Sequence, residues 1–206
     1  MARKFDLTKL KRKAFGELND AIANVKRVEN DVQEYLFGRW VCKMVSVEVH
    51  EAWERYVENR LAAALNHSPK YFLESHDVRG VKNISAGFAY YIVRSGGRFF
   101  DFKSIPDLLS KGDDWLGRPG NPFRTISTSD TKYIDALAAI RNYVTHGSEA
   151  ARKSYRRQLN AMYGIKSTPA PGEFLISIDY RSHSLVRNKP RIYGLVKAVE
   201  NAIRDS

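Results

Sequence analysis

From Arg39 to Asn66 the chain holds neither proline nor glycine. Over that length Trp40, Met44, Val45, Val49, Trp53, Tyr56, Val57 and Leu61 return at steps of one helical turn. This spacing covers a broad face of one long helix with apolar side chains. A helix of that kind is stable as the central member of a bundle, where neighbours cover it from several sides. His67-Ser68-Pro69 supplies its stop. Gly38 separates it from a first helix read from Phe5 to about Tyr35, whose stripe is Phe15, Leu18, Ile22, Val25, Val32 and Tyr35.

The middle of the chain is less regular. Ile84 to Val93 reads as a short helix, although Phe88 to Val93 would also suit a strand. Gly96-Gly97 is a break, Ile105 to Leu109 makes a turn or two of helix, and the glycines and prolines from Gly112 to Pro122 read as a loop. Thr128-Ser129-Asp130 offers an N-cap to a helix striped by Ile134, Leu137, Ile140, Tyr143 and Val144. Gly147 interrupts that helix, and Ser148 caps a restart through Tyr155, Leu159 and Met162. Thr168 to Gly172 reads as a linker, Phe174 to Ile178 as a strand or extended arm, and Ser182 to Asn188 as a loop. Pro190 suits the first turn of a last helix through Leu195, Val199 and Ile203. The expectation is an all-α fold: a single domain over residues 1–206, built as a bundle of about five main helices with irregular insertions. Its core would run over about 5–165, with a C-terminal appendage over about 166–206.

Charge narrows the partners. The 206 residues include 34 Lys and Arg against 23 Asp and Glu, a formal charge of +11, and 43% of them are hydrophobic. That hydrophobic share supports a packed core and excludes a disordered chain. The positive excess favours a polyanion, nucleic acid before others, though a merely solvated basic surface has the same composition. The single cysteine, Cys42, excludes an internal disulfide framework and a four-cysteine zinc module, and on a helix between Val41 and Lys43 it reads as a small core residue. His50-Glu51 lacks the second histidine of a zinc-protease helix, Gly96-Gly97-Arg98 and Gly117-Arg118-Pro119-Gly120 lack the ending of a phosphate-binding loop, and no nucleophile elbow occurs. No metal and no cofactor are therefore expected. No membrane-spanning run or signal core is read, so the expected location is the cytoplasm.

One segment concentrates chemistry. In Ala138 to Ser148 a polar trio, Arg141, Asn142 and His146, closes an otherwise amphipathic helix. Five residues turn about 500°, which leaves Arg141 and His146 about 140° apart on a straight helix. Gly147 permits the helix to end or kink after His146 and would free the ring to swing towards Arg141. Ser148 would then start a helix whose N-terminus favours an anion, followed by Arg152, Lys153, Arg156 and Arg157 as phosphate contacts. The residues by themselves fit a second reading equally well: a helix end carrying a histidine, with a solvated basic face beyond it.

Arg141-Asn142-Tyr143-Val144-Thr145-His146 resembles the signature of the HEPN superfamily, an arginine and a polar residue followed by a histidine after four to six intervening residues. The run Val47 to Tyr56, with Glu51 ahead of aromatics, is similar to an early helix of that family. The resemblance, to stand-alone domains of the RiboL-PSP-HEPN group of RNA processing and prokaryotic defence, covers roughly residues 15–160. It implies a helical bundle that forms a homodimer and acts as a metal-independent endoribonuclease, often a toxin or an abortive-infection effector. RNA would be the substrate, and a cognate antitoxin or defence-system protein a further partner. Two His146 copies would share the acid and base roles, two Arg141 guanidiniums would clamp the phosphate, and Asn142 would orient His146 or bind phosphate. Other members are inactive, so a catalytically silent RNA- or partner-binding module is the alternative, as is a helical antitoxin-like interaction protein.

Other residues have plainer readings beside functional ones. Glu51 would hold Arg141 or His146 in place, or serve only as a surface carboxylate. Tyr143 and Tyr155 would stack on bases, or belong to the core as aromatics at helical spacing usually do. Arg3, Lys4, Lys9, Lys11, Arg12 and Lys13 would touch RNA backbone, or form the polar face of the first helix.

Overall fold

A computed structural model describes residues 4–29, 35–97, 100–181 and 183–206. Among them the fold is all-α: α1 Leu7–Glu29, α2 Tyr35–His67, α3 Lys70–Ser75, α4 Ala86–Val93, α5 Ile105–Gly120, α6 Thr128–His146, α7 Glu149–Tyr163, α8 Pro171–Ile176 and α9 Arg191–Asp205. A 3-10 turn at Pro122–Thr125 and an antiparallel pair, β1 Ile178–Asp179 and β2 Lys189–Pro190, complete it. No described helix is long and apolar enough to cross a membrane. Arg3, Val32, Arg98 and Ser182, which figured in the sequence reading, lie outside the described residues.

The chain divides into two compact units, with boundaries inside α1, α2 and α9. The first unit takes the start of α1 to Ala14, Trp53–Ile126 and Ala202–Ser206. Its centre is aromatic: fully buried Trp53 meets the edge of Phe123 at 5.7 Å and 80°. Asn66 ties the end of α2 to its surroundings, donating to the Ile84 carbonyl at 2.8 Å and accepting from the Phe5 amide. Here Gly112 to Pro122 departs from the expected loop. Gly112 lies inside α5 because the Asn121 side chain covers it; a Cβ at that position would stand 2.6 Å from Asn121 Nδ2. Asn121 in turn donates to the Leu109 carbonyl and to Asp113 and accepts from Phe123 N, so one buried amide caps the turn that follows. The helix pattern breaks only at Gly117, at φ 66°. Ala86 to Val93 is helix, with Ser85 accepting from Phe88 N.

The second unit takes Phe15–Ala52 and Ser127–Asn201. Gly38 does not end a helix: α2 begins at Tyr35, and Gly38 is a close-packing position where a Cβ would meet Ile176 Cδ1 at 2.9 Å. Pro171 to Ile176, read as a linker running into an extended arm, folds as α8, with Gly172 pressed on the Arg39 carbonyl and Arg39 paired to Glu173 at 2.5 Å. Phe174, Leu175, Ile192, Leu195, Val196 and Val199 are buried, so the segment expected as an appendage supplies core. Each such side chain contributes about 1.5–3 kcal/mol on burial, enough to fold an extended-looking sequence into a helix. Trp40, placed on the apolar face by its spacing, is 52% exposed.

Candidate functional site

The segment Arg141–His146 is positioned from the far end of its own helix. Ser127 caps α6, accepting from Asp130 N at 3.0 Å and donating to Asp130 Oδ2 at 2.6 Å, and Asn201 holds the other carboxylate oxygen at 3.1 Å. Tyr133, Ile134, Ala136, Leu137, Ala139 and Ile140 then bury one face. Burial stops after Ile140: Arg141, Tyr143 and Val144 are half-buried, and Asn142, Thr145 and His146 are exposed. The packed part of α6 therefore carries a polar last turn out of the core.

Gly147 ends the helix as a left-handed cap at φ 60° and ψ 5°, its amide donating to the Tyr143 carbonyl at 3.0 Å. Only glycine takes that conformation without strain. Ser148 starts α7 by accepting from Ala151 N at 3.2 Å. Below the corner Tyr143 stacks on Tyr155, with centroids 5.3 Å apart and rings at 27°. Tyr155 is fully buried, donates to the Pro169 carbonyl at 3.2 Å and meets the edge of Phe174. Burial, followed by its neighbour Tyr143, raises the Tyr155 phenol far above its ordinary value, so it stays neutral. Tyr155 is thus core and takes no base; it braces Tyr143 and fixes how α6 and α7 pack.

The trio converges only in part. Arg141 Nη1 donates to Asn142 Oδ1 at 3.1 Å. His146 is the last residue of α6 and forms no hydrogen bond with any described residue, Arg141 included. Glu51 is exposed on α2. On α7, Arg152 pairs loosely with Glu149 at 3.7 Å, an exposed contact of little energetic value. Lys153, Arg156 and Arg157 are exposed, without hydrogen bonds or ion pairs to other described residues, and share one face with Arg152. Among the described residues no group of three His, Cys, Asp or Glu is arranged to hold a metal ion.

No protein-family model, curated protein or solved structure matches this chain. The arrangement therefore rests on its own geometry: an exposed histidine at a capped helix end, an arginine–asparagine pair one turn back, and a row of unpaired cations starting on the next helix.

Sequence reasoning missed one cluster in this unit. Arg181 is bonded through Nε and Nη2 to both oxygens of Asp179 at 2.8 and 2.6 Å, and it also donates to the Met162 carbonyl and the Tyr133 hydroxyl. Its guanidinium lies 3.7 Å from the Tyr163 ring centre. The spacing of Asp179 and Arg181 was the only sign of it in the sequence.

Proposed function

We propose that this chain is an endoribonuclease of the HEPN type that works as a dimer, with histidine rather than a metal ion moving the protons. The observation that carries this reading is the exposed, unbonded His146 at the Gly147 cap, beside the unpaired cations of α7. An RNA backbone lying along Lys153, Arg156 and Arg157 would bring a phosphodiester towards the end of α6. Cleavage by the neighbouring ribose needs a base, an acid and positive charge on the phosphorane. The 2′-hydroxyl gives its proton to one His146 as its oxygen bonds to phosphorus. The bond from phosphorus to the 5′-oxygen breaks, and that oxygen takes a proton from His146 of the partner subunit. A cyclic phosphate and a 5′-hydroxyl result, and Arg141 supplies charge to the phosphoryl oxygens. Two chains are needed because one His146 cannot be base and acid in the same turnover.

The lack of a bond between Arg141 and His146 within the chain favours a second reading, an RNA-binding module in which the α7 cations hold the backbone and His146 does no chemistry. Incubation with total RNA in EDTA separates the two. The nuclease cuts in EDTA, and His146→Ala abolishes cutting while RNA binding remains. Binding without cutting by the wild type leaves the module; neither binding nor cutting removes both. A toxin or defence role belongs to the nuclease reading and is tested by growth arrest on induction that His146→Ala relieves.

A further inference from the structure

Between Asp179 and Glu200 the chain has no acidic residue and five cations, Arg181, Arg187, Lys189, Arg191 and Lys197. The loop that joins β1 to β2 opens this stretch. The ladder pairs Ile178 with Pro190 and Asp179 with Lys189, and by the same register Tyr180 comes opposite Asn188. Main-chain bonds fix both ends of the loop: Asn188 N donates to the Asp179 carbonyl at 2.9 Å, and Arg191 N to the Ser177 carbonyl at 3.0 Å. These bonds need no side chain.

Tyr180 is 69% exposed, and its side chain has no hydrogen bond or ring contact with another described residue. Arg187 and Lys189 stand on either side of Asn188 in the chain. Both are exposed, and neither side chain has a hydrogen bond or ion pair with another described residue. A bare aromatic ring therefore lies across the ladder from a position flanked by two open cations. The other two guanidiniums nearby are committed: Arg181 to Asp179, Met162 and Tyr133, and Arg191 to Ser177 and the Phe174 carbonyl. Asp179, the acid that leads into the loop, is held by Arg181 and does not pair with Lys189 opposite it.

We propose that Tyr180, Arg187 and Lys189 form a second RNA-contact site, in which an unpaired base stacks on Tyr180 and the phosphates beside it lie on Arg187 and Lys189. The loop belongs to the same unit as α7. Arg181 Nη1 reaches the Met162 carbonyl at 2.7 Å, and Met162 follows Arg157 by about 7.5 Å along α7 at 1.5 Å per residue. Phosphates laid on Lys153, Arg156 and Arg157 continue beyond the end of that helix to this loop. An acidic protein segment would use the cations alone, whereas a nucleic acid strand uses the cations and the ring together. The ring selects single-stranded RNA, because a base within a duplex offers it no free face. The site rests on the reading of this chain as an RNA-binding protein and stands whether or not His146 cuts.

Fluorescence anisotropy with a short labelled oligoadenylate and with an RNA duplex of the same length, at about physiological salt, tests it. The wild type should bind the single strand more tightly. Tyr180→Ala should weaken single-strand binding by about tenfold and leave duplex binding and thermal melting unchanged, since the ring is outside the core. Tyr180→Phe should bind like the wild type, because the ring and not the hydroxyl stacks. Arg187→Ala with Lys189→Ala should flatten the salt dependence of single-strand binding by about 1.4 units of slope, at about 0.7 per lost phosphate contact. The proposal is overturned by Tyr180→Ala binding the single strand like the wild type, by equal losses on the two probes, or by an unchanged slope in the double variant. If replacing Lys153, Arg156 and Arg157 abolishes binding and none of these variants moves it, the RNA reading survives and this site does not. A wild type that binds neither probe removes both.

Discussion

Arg181 and Arg157 belong to the same compact unit, and their surroundings are opposite. Arg181 spends its donors on Asp179, Met162 and Tyr133, lies over the Tyr163 ring, and keeps a fifth of its side chain exposed. Arg157 sits on the outer face of α7 with no bond to another described residue. Four of the five guanidinium N–H groups of Arg181 are already taken, which leaves no two-pronged fork for a phosphate, whereas an exposed guanidinium keeps its full fork. Net charge therefore overstates the surface available to a polyanion; pairing decides which cations count. Fully buried Tyr155 and half-buried Tyr163 brace helices, and both phenols are raised, chiefly by burial.

The largest expected effect breaks the buried side of this contrast. Arg181→Ala leaves the Asp179 carboxylate buried without its partner, and loss of one member of a buried pair costs about 3–5 kcal/mol. Thermal unfolding should fall by on the order of 10 °C, while RNA binding well below the transition stays at the wild-type level. A variant with unchanged melting and reduced RNA binding would reverse the assignment.

A smaller effect comes with pH. Burial pulls the Asp179 carboxyl up, but its bonds from Arg181 outweigh that and hold it below its ordinary value. A folded-state pKa below the unfolded one means that the stabilisation is complete above the unfolded value, about 3.9, and is lost as pH falls through the folded value. Denaturant midpoints measured from pH 6 down to pH 2 should drop more steeply for the wild type than for Asp179→Asn. Parallel curves would show that the pair does not contribute.

Gly147→Val is expected to cost about 1–2 kcal/mol, from the positive φ alone, because a Cβ there meets nothing within 4 Å. If His146 acts in RNA cleavage, the rate should fall far more than stability does, since a displacement of about 1 Å can cost on the order of a hundredfold. Gly147→Asn, which tolerates the left-handed region, should recover most of both. Equal losses of stability and rate would assign Gly147 to folding only.

The smallest effect on stability sharpens the exposed side. Replacing Lys153, Arg156 and Arg157 together by Ala should shift stability by no more than about 0.5 kcal/mol per site. The salt dependence of RNA binding should flatten by about two units of slope, at about 0.7 per lost single-strand phosphate contact. An unchanged slope would move the RNA path away from α7.

Features that depend on neighbours along the chain can be read from the residues alone. Helix periodicity, the Ser148 cap and the glycine after His146 are local, because a turn of helix and its cap are decided within about four residues. The all-α class and the polar exit of α6 follow from them. Burial in the fold overrides local signals at several places. Gly112 and Gly38 look like breaks and are instead close contacts with Asn121 and Ile176; Pro171 to Ile176 looks extended and is a helix pressed on Arg39. Trp40 sits on an apolar stripe and yet reaches solvent, and Arg181 is one basic residue among many in the sequence but is held by Asp179, Met162 and Tyr133 in the fold. Burial and pairing join residues far apart in the chain, such as Asp130 with Asn201 and Tyr133 with Arg181, and no local pattern encodes those distances.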